Sequence, residues 1–404
     1  MTGSSFPTVP DKAAPTSEWT GYLRRRYPTE KEWDRVLTSK QERRAGPGYA
    51  PLSVGDLVAG IESLLREEIG SDFAVTDANW LAGGASKLQI AFHLDWDKPG
   101  TGRTREKLVL RMEPPESAVE TSRRREFEIL RAMQGTLPVP EARWMDPDAR
   151  HTQYPSLICG FVSGRTKPSG ITSSVTGIGI NFGPQFRGPL AKQVVRDMAR
   201  MHNWDWRSAD LPSFDAPRPG TQAAEWNLNH WQRVWEEDCH EDVPFVTDLY
   251  HWLMANIPPI ENPVMTHNDF RSGNFLFSEE TAQITSWLDW ELAHVGDRHQ
   301  ELGFFATENM GHRSEDGKDW LAHGLMPIDR MLAFYEQESG VSVDRSAVEY
   351  YRVFFCYRAA VIILGTCIRA AMGAKTHQDL TVAWLSAFAY RNLAEAREVL
   401  ERIG

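Results

Sequence analysis

The chain has 404 residues, more than the roughly 100 to 200 residues of one ordinary domain, which favours two or three domains. Its 41% hydrophobic and 25% charged residues are typical of a soluble globular protein and exclude the fibrous and wholly disordered classes. The formal net charge of −11 repels phosphate backbones, so we expect no nucleic-acid partner.

Cysteine usage and the apolar stretches indicate a cytoplasmic protein. The four cysteines form no Cys-x-x-Cys pair, as expected of reduced thiols. The N-terminus lacks the basic and apolar regions of a signal peptide. Arg358 and Arg369 interrupt the apolar stretch over residues 354–372, which favours a buried helix over a membrane span.

Residues 1–51 are predicted to form an N-terminal tail and a helical arm. Residues 1–16 are rich in Ser, Thr and Pro, as in a flexible tail. Residues 19–51 are charged and aromatic, which favours a solvated helical arm, with a docking surface as the alternative. Ser53 is a candidate N-cap, and the apolar spacing after it predicts a helix to about Ile69.

Residues 52–163 are predicted to form a small lobe on an antiparallel sheet. Apolar residues alternate in several short segments, and glycine and proline pairs separate them. The predicted elements are strands at 73–81, 88–96, 107–111 and 156–162, and a helix at 117–133.

Residues 164–404 are predicted to form a larger, mainly helical lobe. Residues 165–190 are rich in glycine and proline, which predicts an irregular segment and a lid over a cleft. Helices are expected at about 190–202, 223–239, 245–255, 327–338, 345–372 and 380–402, and short strands near 264–266, 275–277 and 284–287.

Two sequence motifs carry the chemical information. The first is His267-Asn268-Asp269-Phe270-Arg271-Ser272-Gly273-Asn274, and the second, Asp289-Trp290-Glu291, begins fifteen residues after the first ends. Their spacing matches the catalytic loop and the later metal-binding Asp of kinase-type phosphoryl transfer. That chemistry needs one carboxylate to orient the acceptor hydroxyl, and an amide plus a second carboxylate to hold Mg²⁺ against the phosphates. Asp269, Asn274 and Asp289 can supply these groups.

Through these motifs the chain resembles the aminoglycoside phosphotransferase family of small-molecule kinases, whose fold is similar to that of protein kinases. The sequence segments HNDFRSGNFLF and LDWELAHVGD resemble most closely the kinase-like domains fused to, or encoded beside, acyl-CoA dehydrogenases. The resemblance covers roughly residues 70–400. It implies an α+β, protein-kinase-like two-lobe fold with an antiparallel-sheet N-lobe and a mainly helical C-lobe.

The resemblance assigns roles to the motif residues. Asp269 stands at the family's catalytic position, and Asn274 and Asp289 stand at its Mg²⁺ ligand positions. Arg271 stands where protein kinases often have a Lys near the transferred phosphate.

Two further motif residues are interpreted as structural. His267 would hold the loop backbone, with direct catalysis as the alternative. Asp297 resembles the family's loop-anchoring Asp, with metal binding as the alternative.

The N-lobe is expected to supply a nucleotide clamp. Gly83, Gly84 and Ser86 lie between two predicted strands, where glycine backbone amides can approach phosphate oxygens. A Gly-Gly hairpin turn is the alternative interpretation of this text.

The resemblance also places a phosphate-contacting cation in the N-lobe. Arg111 stands where the family has this cation, which is usually a Lys, and Lys107 lies on the same strand face as a second candidate. Glu126 stands where the family has the helix Glu that pairs with the cation. Residues 157–164 resemble the hinge that would bind a nucleobase.

The leading functional hypothesis is an ATP-dependent kinase, with GTP as an alternative donor, that requires Mg²⁺ and phosphorylates a hydroxyl of a small molecule. Six of the fifteen tryptophans lie between residues 204 and 252, and the helical spacing of Trp231 and Trp235 favours core packing. The alternative is that some of them face a cleft, which would indicate a large apolar acceptor such as a hydroxyacyl thioester. The alternatives are an aminoglycoside or macrolide kinase and a degenerate kinase that binds without transfer. A protein kinase is disfavoured, since Asp289-Trp290-Glu291 replaces Asp-Phe-Gly.

Overall fold

The computed structural model describes residues 11–81, 87–117, 119–171, 179–374 and 385–403. Over these ranges the chain has a sheet-based N-lobe followed by a mainly helical C-lobe. The predicted α+β, protein-kinase-like fold is confirmed.

The N-terminal arm forms two helices, α1 (Ser17–Arg26) and α2 (Lys31–Arg43). The prediction that this arm is solvated is wrong, because Trp19 and Leu37 are buried in one core cluster with residues of the C-lobe. Lys40 is only 1% exposed, and its ammonium lies 2.7 Å from Asp238. A charged arm can be buried here because its ion-pair partner lies 198 residues further along the chain.

The N-lobe sheet has five antiparallel strands in the order β1-β2-β3-β5-β4. Apolar residues of β2 and β3 on one face form a core cluster with the apolar stripe of α3. The elements of this lobe are α3 (Val54–Ile69), β1 (Phe73–Trp80), β2 (Leu88–Lys98), β3 (Gly102–Met112), α4 (Arg123–Ala132), β4 (Ala142–Asp146) and β5 (Ser156–Gly160).

Caps explain where the two N-lobe helices begin. Ser53 caps the start of α3, as the sequence predicts, and Asp56 completes a reciprocal capping box with it. The helix predicted from residue 117 begins only at Arg123, because the side chain of Ser122 caps it by accepting the Arg125 N–H at 3.2 Å.

The C-lobe is mainly helical, with short hairpins near the centre of the molecule. Its helices are α5 (Gly183–Asn203), α6 (Gln222–Asp238), α7 (Pro244–Ala255), α8 (His299–Phe305), α9 (Ile328–Ser339), α10 (Arg345–Ala360), α11 (Ile368–Met372) and α12 (Ser386–Ile403). Its strands are β6 (Val264–Thr266), β7 (Phe275–Phe277), β8 (Ile284–Trp287), β9 (His294–Gly296), β10 (His312–Arg313) and β11 (Trp320–Leu321).

The segment 165–190 is not irregular throughout, which corrects the prediction. Helix α5 already begins at Gly183, and a proline in its first turn is compatible with a helix start, where an amide proton has no intrahelical partner. Residues 172–178 lie outside the described residues, so the predicted lid stays a prediction.

The apolar stretch over residues 345–372 consists of α10, a π-helical segment (Val361–Cys367) and α11. By length and composition this stretch could cross a membrane, but 78% of its most apolar window is buried inside the fold. Its environment is therefore that of a core helix.

Candidate active site

The predicted catalytic loop joins β6 to β7. Strand β6 pairs with β9 and β7 pairs with β8, so two short antiparallel strand pairs flank the loop. The Leu288 N–H donates to the Asn274 carbonyl at 2.7 Å, which ties the two motif segments together.

Three predicted site residues meet within this loop. The Arg271 Nε–H donates to Asp269 Oδ1 at 3.0 Å. The Asn274 amide donates to Asp269 Oδ2 at 2.5 Å and to its carbonyl at 3.0 Å. The Asp269 side chain is 25% exposed, so its carboxylate is held in place and remains accessible to an acceptor.

The bonds of His267 fit the structural interpretation. Its Nδ1 accepts the Asp269 N–H at 3.2 Å, and its Nε2 contacts the Leu288 carbonyl at 2.8 Å. A neutral ring with its proton on Nε2 satisfies both partners. Burial lowers the pKa of His267, which favours this neutral form.

Glu301 anchors the catalytic loop, although the sequence did not single it out. Its Oε1 accepts the backbone N–H groups of His267 and Asn268, both at 2.7 Å, while its Oε2 pairs with His202 Nε2 at 2.8 Å. The anchoring role expected for Asp297 is therefore taken by Glu301. Asp297 accepts instead from the backbone N–H of His299 at 3.0 Å, since both lie in the turn that begins α8.

Asn268 adopts a left-handed backbone conformation with a φ of 66°. Its carbonyl accepts from Arg358 Nη1 at 2.8 Å, and the same guanidinium donates to the Asn268 side-chain oxygen. Arg358 is 4% exposed, and its guanidinium carbon lies 5.0 Å from the centroid of the Phe355 ring. A buried cation of α10 thus holds the residue next to Asp269.

Asp289 faces the N-lobe cation that the sequence predicted. Arg111 Nη2 lies 2.8 Å from Asp289 Oδ1 and 3.2 Å from Glu126 Oε1. Burial opposes the ionised form of Asp289, but the charge and hydrogen bond of Arg111, together with the electrostatic influence of Arg271 and His267, lower the pKa of that carboxyl. The structure therefore brings Arg111, Glu126 and Asp289 together.

Lys107 does not share this arrangement. Its ammonium lies 3.9 Å from the centroid of the Phe161 ring, in a cation–π contact. Of the two candidates on β3, Arg111 is thus the cation beside Asp289.

A layer of buried charge behind Arg111 was missed in the sequence. Lys87 donates to Glu113 at 2.8 Å, and Arg123 lies 3.0 Å from Glu113 and 3.1 Å from Glu291. Although burial opposes it, Lys87 and Arg123 lower the pKa of Glu113 to about 2. The basic run before Glu126 was the available signal, and only the fold shows that Arg123 points inward.

The donor set fits Mg²⁺ bound together with phosphates. Within the described part of the chain, the Asn274 side-chain oxygen and the second oxygen of Asp289 have no hydrogen-bond partner. Both are hard oxygen ligands, which Mg²⁺ prefers, and Mg²⁺ commonly takes one or two protein ligands plus substrate phosphates. No three His, Cys, Asp or Glu side chains among the described residues could form a metal site by themselves.

The other predicted nucleotide contacts are only partly described. Gly83, Gly84 and Ser86 lie outside the described residues. The predicted hinge forms β5 in its first part, and β5 pairs with β3 beside Arg111.

A model of the phosphotransferase enzyme family (APH) matches residues 81–326, which include both motifs and Arg111. The chain belongs to this family. Membership confirms the prediction of a phosphotransferase, and the match leaves out the N-terminal arm.

The relatives of this phosphotransferase include acyl-CoA dehydrogenase family members, as the resemblance predicted. Family member 11 of Homo sapiens is 24% identical over 285 residues, which cover 67% of this chain and 34% of that protein. Family member 10 of Mus musculus is 23% identical over 279 residues, which cover 66% of this chain and 25% of that protein. The matches thus span about a third of these relatives, or less.

Solved structures share the fold of this phosphotransferase. A protein of Ralstonia eutropha described as a candidate aminoglycoside phosphotransferase has a TM-score of 0.60 and 21% identity, with 84% of this chain and 98% of that chain covered. A type I macrolide 2′-phosphotransferase has a TM-score of 0.50 and 16% identity, with 83% and 97% covered. An ethanolamine kinase of Plasmodium vivax has a TM-score of 0.50 and 11% identity, with 97% and 98% covered.

Two of the six tryptophans between residues 204 and 252 are core residues, as their helical spacing predicted. Trp231 and Trp235 are 2% and 5% exposed and belong to the core cluster around α6 and α10. They serve packing, so they are not evidence for an apolar acceptor.

Proposed function

We propose that this phosphotransferase is an ATP-dependent, Mg²⁺-requiring kinase that phosphorylates a hydroxyl of a small molecule, in the class of hydroxyacyl thioesters or other apolar alcohols. The observation that carries the proposal is the held but accessible Asp269 carboxylate, bonded to Arg271 and Asn274 in one loop. The relation to acyl-CoA dehydrogenase family members supports the thioester class.

In the proposed reaction each residue has a separate task. Asp269 orients the acceptor hydroxyl and accepts its proton as the hydroxyl oxygen bonds to the γ-phosphorus of ATP, while the bond from that phosphorus to the β,γ-bridging oxygen breaks and ADP leaves. Arg271 lies beside this carboxylate, where its charge can stabilise the transferring group. Arg111 turns from Asp289 toward the phosphates and is kept in the cleft by Glu126. Bound Mg²⁺, held by Asn274 and Asp289, would neutralise charge on the phosphates.

A second candidate is a kinase of aminoglycosides or macrolides. The net charge of −11 would attract a cationic antibiotic, and the fold is shared with a macrolide phosphotransferase. The degenerate-kinase alternative depends on Arg111 replacing Lys, but an Arg can bind phosphate in a bidentate manner.

The deciding experiment is a transfer assay with Mg-ATP against hydroxyacyl thioesters, other apolar alcohols, aminoglycosides and macrolides, read as ADP formed above hydrolysis. We expect a thioester or apolar alcohol to be phosphorylated. Asp269→Asn should then lose at least about 10²-fold in rate and keep its nucleotide affinity, because positioned acid-base groups typically contribute about 10² to 10⁴.

One control variant and two contrary outcomes make the result specific. Ser208→Ala changes an exposed residue whose hydroxyl bonds only to the local Asp205 carbonyl, so it should leave the rate unchanged. Retention of more than about a tenth of the rate by Asp269→Asn would show that Asp269 is not the base. Transfer only to antibiotics would favour the second candidate.

A further inference from the structure

The N-terminal arm, defined here as residues 17–44, touches both lobes beside the nucleotide clamp. Its apolar side is built into the C-lobe core, where Leu23 and Leu37 share a cluster with Leu228 and Trp231 of α6. Buried ion pairs strengthen this contact, since Arg44 lies 2.7 Å from Asp238. The arm is therefore fixed on the C-lobe.

The opposite side of the arm holds the first turn of α4. Glu30 accepts a hydrogen bond from Arg125, and Glu32 accepts one from the hydroxyl of Ser122, the N-cap of α4. Glu30 and Glu32 are 3% and 5% exposed, so water does not compete for these bonds. Carboxylates at a helix N-terminus are also favoured by the helix dipole.

Between these contacts, the indole of Trp33 lies between the two lobes. Its ring centroid is 5.4 Å from the Arg125 guanidinium of α4. It is also 4.7 Å from the ring of His230 and 5.1 Å from the ring of His294. The arm thus fills the space between α4 and the strands that carry the catalytic loop.

The helix held in this way carries half of the nucleotide clamp. Glu126 follows Arg125 directly and lies 3.2 Å from Arg111. In kinase-type folds this cation–Glu pair must form for phosphates to bind productively, and displacement of its helix breaks the pair. A contact that fixes the first turn of α4 therefore fixes the clamp.

We propose that Glu30 and Glu32 of the N-terminal arm are positioning residues that hold α4 in the nucleotide-competent position from outside the residues that the family model matches. The inference uses the nucleotide-binding part of the proposed function. It predicts that an arm tied to the C-lobe limits the movement of α4 away from the cleft. It also predicts coupling in both directions, because linkage requires that bound nucleotide stabilise the arm contact equally.

The test uses the full chain with Glu30→Gln and Glu32→Gln combined, which keeps side-chain size and removes both charges. We expect Mg-AMP-PNP affinity by calorimetry to weaken by about 5- to 150-fold, the range of typical coupling energies. Hydrogen exchange in residues 123–132 should become faster in the variant. In the wild type, Mg-AMP-PNP should slow exchange in residues 17–44.

A matched control separates positioning from general stability. Arg24→Ala removes an ion pair with Asp34 inside the arm, where the Arg24 side chain is 49% exposed. It should leave nucleotide affinity unchanged. If the double variant is poorly folded, Glu32→Gln alone should give a smaller shift of the same sign at a temperature well below its Tm.

Specific outcomes overturn the proposal. Unchanged affinity and unchanged exchange of residues 123–132 in the double variant would exclude positioning, and so would an equal loss of affinity in Arg24→Ala. If the wild type binds no Mg-AMP-PNP, the proposed function fails. The exchange of residues 123–132 in the double variant still decides whether the arm holds α4.

Discussion

Asp289 combines an unusual backbone conformation with a charged partner. It has a φ of 59° in the left-handed region, and its carboxylate bonds to Arg111. Such local strain persists where surrounding bonds determine the conformation, and here it directs the side chain toward the N-lobe. The position suits a residue that meets both metal and phosphates.

Asp289→Ala should therefore weaken Mg²⁺-dependent nucleotide binding and leave the fold intact. Loss of one metal ligand removes a charged oxygen that Mg²⁺ needs. Calorimetry with ADP at several Mg²⁺ concentrations should show a loss of at least about tenfold, or about 1.4 kcal/mol. Unchanged Mg-nucleotide affinity would contradict the assignment, and circular dichroism provides the control for folding.

Arg358 should matter for rate more than for nucleotide binding. It fixes Asn268, the neighbour of Asp269, and in the part of the chain that the structure describes it makes no hydrogen bond or ion pair with Arg111 or Glu126. Since misplacement of a catalytic group by about 1 Å can cost about 10²-fold, we expect Arg358→Met to lower the transfer rate by about 10- to 100-fold. Nucleotide affinity should change by no more than about twofold. A tenfold change, which corresponds to about 1.4 kcal/mol, would show that the variant also disturbs the nucleotide site.

The matched control for this prediction is Arg352→Met. Arg352 lies on the same helix and is also largely buried, but it pairs with Glu395 at 2.8 Å. It should lower the Tm without a specific loss of rate. An equal loss of rate in the two variants at equal stability would show that Arg358 has no positioning role.

The motif residues could be predicted because they lie close together in the chain. Asp269, Arg271 and Asn274 occupy one loop, so their spacing in the sequence is enough to predict that their side chains meet. Glu301 and Arg358 could not be found in this way, because they reach the loop from positions 34 and 90 residues away. The local sequence does not distinguish Glu301 from an ordinary surface charge, and although Arg358 lies in a stretch predicted to be buried, nothing near it in the chain indicates what it contacts.

At the scale of elements, caps and apolar periodicity predicted most helices and strands. The N-cap candidate Ser53 placed the start of α3 correctly, and strands β6, β7 and β8 were found from short apolar runs. Strand β4 was missed because most of its side chains are half-buried and show no alternation.

The arm shows why charged helices are difficult to place from sequence. In the sequence, Lys40 and Arg44 look like solvated residues. In the fold, both pair with Asp238 of α6. A buried charge is tolerated only when such partners surround it, and the pairing depends on the tertiary fold. The prediction of helices was right here, while the prediction of their surroundings was wrong.

Across the whole molecule, the two lobes and the arm are joined by buried polar groups rather than by apolar contacts alone. Several buried histidines belong to this framework. The His294 ring contacts the Thr266 hydroxyl at 3.1 Å, and His323 Nε2 contacts the Phe304 carbonyl at 3.1 Å. Burial lowers the pKa of His294 to about 4 and that of His323 to about 3.

These histidines should make the free energy of unfolding fall as the pH falls below about 6.5, the ordinary pKa of histidine. In that range the histidines become protonated in the unfolded chain but stay neutral in the folded chain. Each buried histidine therefore lowers the free energy of unfolding by about 1.4 kcal/mol per pH unit, until its folded pKa is reached. Above about pH 6.5 these histidines are neutral in both the folded and the unfolded chain, so they no longer make the stability depend on pH. Urea unfolding between pH 7.5 and 5.5 measures this slope.

His323→Gln isolates the contribution of His323 to this pH dependence, because glutamine has no titratable ring but can still donate to the Phe304 carbonyl. The variant should have a slope lower than that of the wild type by about 1.4 kcal/mol per pH unit below pH 6.5. The urea m-value should be the same in both proteins, so that the comparison concerns stability alone. Parallel pH profiles for wild type and variant would mean that His323 has the same pKa in the folded and unfolded chains, since only a difference in bound protons between the two states makes stability depend on pH.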